Sequence, residues 1–316
     1  FAFRTIKIVF SEKYDLILAS STPLTIGIPA LTAYWLKRKP FVFEVRDLWP
    51  DLPKAMGIIR NPLILGILSV LEKLCYKSAK RCIGLSPGIV EGIMKKGVNS
   101  HFVKELPNGC DLEIFSPKNK SERPLGVKHS DLMAIYSGTH GLANGLDIII
   151  DVAAELKRRR RFDIKLVLVG KGQKKNELIN RALDEKLENI IFLNPVDKLK
   201  LSKLLAGADI GLQILKNVPE FYYGTSPNKF FDYIATGLPV LINYPGWLAG
   251  LIKEFKFGYY IEPNNPIDFA DALEKAAENR NALKKMGKKA RFLAKNKFDR
   301  NIIGEEFVRW LEESVC

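Results

Sequence analysis

Residues 224–240 read Gly-Thr-Ser-Pro-Asn-Lys-Phe-Phe-Asp-Tyr-Ile-Ala-Thr-Gly-Leu-Pro-Val. Small and polar residues lead into a short amphipathic helix, Gly237 ends it, and an apolar strand follows at 239–242. A helix start presents unpaired N–H groups and a partial positive charge, both suited to a phosphate. Lys229 adds a full charge, and Asp232, three residues on, shares its helix face and can accept hydrogen bonds from a ribose diol. The stretch reads either as a nucleotide-sugar site or as a capped helix with a surface Lys–Asp pair. The flanking sequence has to separate the two.

Working outward, apolar strand-like runs at 15–19, 41–45, 81–85 and 101–106 alternate with helical patterns at 24–37, 61–79 and 87–96. Residues 118–130 turn polar, lose periodicity and read as a linker. Alternation then resumes, with strands at 133–136, 165–169, 190–193, 210–215, 239–242 and 257–261. Helical patterns lie at 145–158, 174–187 and 198–206, and close the chain at 266–279, 281–296 and 300–315. Such alternation predicts an α/β protein of two doubly wound domains, with ligands at the carboxyl ends of parallel strands and a cleft between the domains. The expected divisions are 1–120, 121–298 and a terminal helix at 299–316 that packs back on the first domain.

A chain of 316 residues has room for two such domains. Its net charge of +14 is shared by both halves and favours an anionic partner: nucleic acid, an anionic membrane surface or a phosphorylated substrate. No zinc-finger or RNA-recognition pattern accompanies the charge, so nucleic acid is not expected. Cys75, Cys82, Cys110 and Cys316 form no Cys-x-x-Cys or Cys/His cluster. That spacing argues against a disulfide framework or a zinc site and for a reducing, cytoplasmic setting. Residues 16–36 carry no charge and could cross a bilayer by length. They divide into a strand, a Ser-Ser-Thr-Pro turn and a helix, so a sheet-forming segment is expected instead.

Three loops could carry chemistry. Ser137-Gly138-Thr139-His140-Gly141 joins a strand to a helix, where glycine lets the backbone approach a phosphate. Gly170-Lys171-Gly172 is a weaker version of the same arrangement. Residues 44–51, Glu-Val-Arg-Asp-Leu-Trp-Pro-Asp, follow a strand end. There Asp47 could orient or deprotonate a hydroxyl, and Arg46 could meet a phosphate or hold Asp47, or the two could simply brace the loop. In the helix at 62–80, Leu63, Ile67, Val70, Leu71 and Leu74 share one stripe, and Lys73, Lys77 and Lys80 share another. That pattern fits a core-facing helix with a solvated face, or a helix lying on a membrane. No Asp-x-Asp triplet is present to bridge a metal to a diphosphate.

Together these segments resemble the retaining glycosyltransferases of GT-B-fold family 4, most of all the subgroup acting on N-acetylated deoxy- or amino-sugars in surface-polysaccharide assembly. The resemblance rests on 41–51, 106–115, 136–147, 167–172, 206–212 and above all 224–240. It implies a GT-B fold, a UDP-sugar donor, no cofactor or metal, and transfer to a lipid-linked or saccharide acceptor on the inner face of the plasma membrane. Carried over by position, it implies that Asp232 holds the ribose, that Lys229, His140 and the backbone of Gly138, Thr139, His140 and Gly141 hold the diphosphate, and that Asn228 belongs to the nucleotide-sugar site. The base is expected against Pro195 and Val196. Asp47 and Arg46, with Lys229, are the expected catalytic residues. Two positions depart from the family: Gly224 stands where a carboxylate would touch the donor sugar, and Thr139 and Asn144 stand where an Arg/Lys pair is usual. The resemblance also implies that the family's opening strand and glycine-rich loop precede Phe1, so the first domain is expected to be incomplete. Two other functions compete with transfer: a non-catalytic nucleotide-sugar-binding protein or truncated inactive transferase, and a nucleotide-sugar epimerase.

Overall fold

The computed structural model describes residues 2–315. The chain forms two compact units, one of residues up to 108 with 218–226 and 301 onward, the other of 109–217 and 227–300. The boundary runs through the 224–240 stretch: Ser226 goes with the first unit and Pro227 with the second.

The first unit holds four parallel strands in the order β1 (Ile17–Ser20), β2 (Phe41–Val45), β3 (Arg81–Gly84) and β4 (Val103–Glu105). Aromatic and β-branched residues suit a pleated surface covered on both sides. Phe41, Phe43 and Val45 of β2 accordingly pack with Ile89 and Ile93 of the Pro87–Lys95 helix. On the other face, Phe307, Trp310 and Leu311 of the Arg300–Val315 helix cover Val42, Ile83 and Leu106. Arg81 pins that helix by stacking on Trp310 at 4.1 Å and bonding Glu313 at 2.5 Å.

The second unit holds six parallel strands: β5 (Leu132–Ser137), β6 (Ile164–Val169), β7 (Ile190–Leu193), β8 (Ile210–Gln213), β9 (Val240–Ile242) and β10 (Gly258–Tyr260). Their order in the sheet is β10-β9-β8-β5-β6-β7. The parallel α/β architecture expected from the alternation is present in both units; the strand order reverses, as double winding requires, in the second, and runs in sequence in the first.

The differences have local causes. Residues 118–130 lie inside the second unit, where Arg123 bonds Asp209 at 2.9 Å and Lys200 pairs with Glu122. Charges that read as solvated in sequence are tethering this stretch. Helices Asp51–Ala55 and Pro219–Gly224 are too short to show a period. The Trp247–Phe255 helix starts abruptly at Gly246, whose φ of +121° lies where only glycine is unstrained. Residues 16–36 divide into β1 and the Gly27–Lys37 helix, and no helix among the described residues is long and apolar enough to cross a membrane.

Candidate functional site

In the second unit β5 has β6 on one side and β8 on the other, so the strand order reverses beside it. At such a switch point the loops leaving the strands part and open a crevice at their carboxyl ends. A cavity of about 460 Å³ lies here. Its walls are Ser137, Gly138 and Thr139 at the end of β5, Val169 to Lys171 at the end of β6, and Pro195 and Val196 after β7. The fourth wall is the start of the Asn228–Thr236 helix, with Asn228, Lys229 and Asp232. Pro227 precedes this helix and, among the described residues, no side chain caps its first turn; the Phe230 N–H bonds the Pro227 carbonyl at 3.0 Å. Gly237, at φ +77°, ends it as the sequence indicated.

Lys229 is the centre of the arrangement. Its ammonium sits 3.3 Å from Asn144 Oδ1 and 3.4 Å from the Tyr136 hydroxyl, and 4.7 Å above the Tyr136 ring. Among the described residues it makes no ion pair. Burial without a counter-charge lowers its pKa to about 8. A desolvated cation held by neutral groups on a cavity wall is arranged to receive an anion.

Asp232 lies one helical turn further and faces the same cavity. Burial raises its carboxyl pKa to about 7, against the pull of Lys198 and Arg300 and with the repulsion of Asp111 added. The Tyr233 hydroxyl accepts a 2.9 Å bond from the Ser137 N–H, fixing the end of β5 against this helix. Lys175 ties two other walls together: its ammonium donates to the Gly170 and Leu193 carbonyls at 2.9 and 2.8 Å.

The glycine loops serve close packing as well as access. Gly170 has φ +153°, and the Gly138 carbonyl lies where its side chain would start. Gly138, at φ +151°, leaves room for the Lys229 side chain, whose Cε would stand 2.9 Å from a Cβ there. Gly170→Ala is therefore expected to cost about 2–4 kcal/mol, read as a lower midpoint in urea denaturation.

His140 does not join the cavity. It is fully buried, its ring lies between Tyr136 and Phe192 at 6.0 and 6.4 Å, and neither ring nitrogen has a hydrogen-bond partner in the described structure. Burial, with Lys175 and Lys229 nearby, lowers its pKa to about 4, so the ring is neutral and supplies no charge to a diphosphate. Gly141 is likewise absent from the cavity walls, whereas Gly138, Thr139, Val196, Asn228, Lys229 and Asp232 are brought together there. Sequence reasoning did not assign Tyr136, Lys175 or Lys198 to the site. Each acts through a partner distant in sequence, which leaves no local signal. Asn144, read there only as an absent cation, proves to be the amide that holds Lys229.

Asp47 and Arg46 belong to the first unit, just beyond β2. Thr22 Oγ1 donates to Asp47 Oδ2 at 3.0 Å, and the backbone N–H of Arg46 donates to Ser21 Oγ at 3.1 Å. Burial pushes the Asp47 carboxyl up, while the Thr22 bond and the Arg46 charge pull it down. Arg46 is exposed and forms no ion pair among the described residues. Thr22 adopts φ +126°, a costly conformation for a β-branched residue that the loop imposes at this polar strand end.

The chain thus holds two parallel α/β units, and the second carries, at its switch point, a cavity with a lysine and a carboxylate in its wall. Residues 117–292 match the family model described as Glycosyl transferases group 1, and the chain belongs to that family. It is 23% identical over 231 residues to a D-inositol 3-phosphate glycosyltransferase of Paenarthrobacter aurescens (strain TC1), covering 69% of this chain and 54% of that one. Its likeness to the same-named enzyme of Nocardia farcinica (strain IFM 10152) is 26% over 203 residues, 61% and 44% of the two chains. The chain thus spans about half the length of these curated relatives. The fold resembles that of Anabaena HepE solved with UDP-glucose, at a TM-score of 0.78 and 17% identity over 99% of this chain and 82% of that one. Sucrose-phosphate synthase of Thermosynechococcus elongatus gives 0.80 and 16% over 99% and 76%. These likenesses place both units in the GT-B fold class.

Proposed function

We propose that the chain is a family 4 glycosyltransferase that moves a sugar, N-acetylated in the subgroup it resembles, from a UDP-sugar to a lipid-linked or saccharide acceptor. It would retain the anomeric configuration, need no metal ion, and work at the inner face of the plasma membrane. The observation that carries the reading is Lys229, a desolvated ammonium without a carboxylate beside an uncapped helix start, with Asp232 on the same wall. Family membership supports it, as does the UDP-glucose bound by HepE.

In this reading Lys229 and the N–H groups of the Asn228–Thr236 helix meet the diphosphate, Asp232 accepts from the ribose, and Val196 with Pro195 lies against the base. As the bond to the anomeric carbon breaks, negative charge grows on the departing diphosphate, and these fixed donors stabilise it. In retaining transfer the acceptor hydroxyl approaches on the face the diphosphate leaves, so a diphosphate oxygen receives its proton. In the first unit, Asp47, which accepts from Thr22, is the group proposed to orient or deprotonate an acceptor hydroxyl, with Arg46 beside it to meet a phosphate or hold Asp47. Asp47→Asn is expected to slow sugar transfer about 100-fold or more while leaving UDP-glucose affinity unchanged in calorimetry.

The test of the donor is a thermal-shift screen against UDP-, GDP-, ADP- and dTDP-sugars. Stabilisation by UDP-sugars is expected, and a uniform lack of response would overturn the reading. A second reading, nucleotide-sugar binding without transfer, is favoured by Gly224, which offers no side chain to the donor sugar. Release or transfer of sugar from a bound UDP-sugar would exclude it.

A further inference from the structure

The Pro62–Ser78 helix has two apolar faces, and the unit covers only one. Glu72, Cys75 and Tyr76 are buried, and Leu68 and Leu71 pack against the first unit's core. On the opposite side Leu63, Ile67, Val70 and Leu74 recur at helical spacing and lie exposed. Leu63 is 71% exposed, Ile67 and Val70 60% each. A depression of about 450 Å³ runs between Pro62, Leu63, Gly66, Ile67 and Val70. Scattered exposed apolar residues are ordinary, but a contiguous stripe of this kind marks a surface that another phase or molecule covers.

The charges beside the stripe say which. Lys73 and Lys77 run along one border, both exposed. The only acid on the helix, Glu72, is buried and bridged to Lys96 at 2.9 Å. The outward face is therefore apolar and cationic with no exposed carboxylate. Two copies of such a face pressed together would oppose lysine to lysine without a counter-charge. A bilayer bearing anionic head groups supplies hydrocarbon to the stripe and negative charge to its border. Lysine side chains reach head groups while their stems lie along apolar surface.

We infer that the outward face of the Pro62–Ser78 helix is the surface by which this chain docks on an anionic lipid bilayer. Leu63, Ile67, Val70 and Leu74 enter the acyl boundary, and Lys73 and Lys77 contact head groups. The inference rests on the membrane-peripheral part of the proposed function and gives it an element and a set of residues.

The experiment is flotation of the full chain with vesicles of equimolar phosphatidylcholine and phosphatidylglycerol, and with vesicles of phosphatidylcholine alone. The chain is expected to float with the anionic vesicles and to release as salt is raised. Ile67→Asp with Val70→Asp should reduce the bound fraction about tenfold or more, with an unchanged melting temperature because both sites are exposed. Lys73→Gln with Lys77→Gln should weaken binding severalfold and flatten the salt response. Equal binding to both vesicles, or full binding by the double aspartate variant, would overturn the inference. So would a wild-type dimer that this variant dissociates. The UDP-glucose thermal shift is recorded on the same samples. Its absence with vesicle binding intact would sink the donor reading and leave the docking surface standing; the converse result would do the opposite.

Discussion

Lys229→Met raises the melting temperature of the ligand-free protein at pH 7 and abolishes the further rise that UDP-glucose gives: this is the expected outcome of removing a half-buried cation that has no counter-charge. Methionine keeps an unbranched apolar side chain as far as the Cε position. It removes the cost of holding a charge among neutral groups, and with it the group that an anion would pair. The pH dependence carries the sign. The Lys229 pKa of about 8 in the folded chain is below its ordinary value of 10.5, so the unfolded chain holds this proton more tightly. The penalty is therefore fully present below about pH 8 and fades as pH climbs towards 10.5. The advantage of methionine should be a few degrees at pH 7 and shrink by pH 10. Thermal denaturation at both values, with and without UDP-glucose, checks it. A lower melting temperature at pH 7 with the UDP-glucose shift intact would show that Lys229 is structural. Such an opposition between stability and binding is common where a site must wait charged for its ligand.

Why this could be anticipated only in part is visible in particular residues. The helix around Lys229 was legible because Pro227 and Gly237 bracket it and its apolar spacing is regular. The isolation of Lys229 was not, because Tyr136 and Asn144 arrive from a strand end and a turn far earlier in the chain. His140 shows the reverse error. In sequence a histidine in a glycine loop reads as a phosphate ligand. In the fold the β5–β6 loops close so tightly at Gly170 that the ring turns inward against Phe192, from β7. The Pro62–Ser78 helix misleads for a related reason. Its Leu63–Ile67–Val70–Leu74 stripe is free of charge and fits the usual signature of a core face, whereas the stripe that is buried contains Glu72. Lys96, supplied after another helix, and the Tyr76 hydroxyl make that burial tolerable. The alternation of strands and helices survived all of this because it depends on many residues at once. Site chemistry depends on single side chains meeting across long separations.

Asp232 provides the other large effect, and it couples to Lys229 through pH. Its carboxyl, raised to about 7 from an ordinary 3.8 chiefly by burial, keeps its proton in the folded chain over a range where the unfolded chain has lost it. The half-buried carboxylate therefore weighs against the ligand-free fold fully above pH 7 and not at all below about pH 4. Asp232→Asn should accordingly melt higher than the wild type at pH 8 and alike at pH 4. Binding runs the other way. A ribose diol gives two donors, which the ionised carboxylate accepts best, so UDP-glucose affinity should climb as pH rises through 7. Above 8 it should fall again as Lys229 loses its charge. The sugar-linked diphosphate does not itself titrate in this window, which makes UDP-glucose the right probe. Calorimetric titration across pH 5.5 to 9.5 should thus trace a bell with its summit between the two groups. Asp232→Asn should remove the acid limb and keep the alkaline one, at an affinity about 10–100-fold lower, the worth of one charge-assisted contact. Asp232→Ala should lose at least as much. An unchanged affinity in the alanine variant would remove Asp232 from the ribose, and with it the nucleotide orientation on which the placement of the base at Val196 depends.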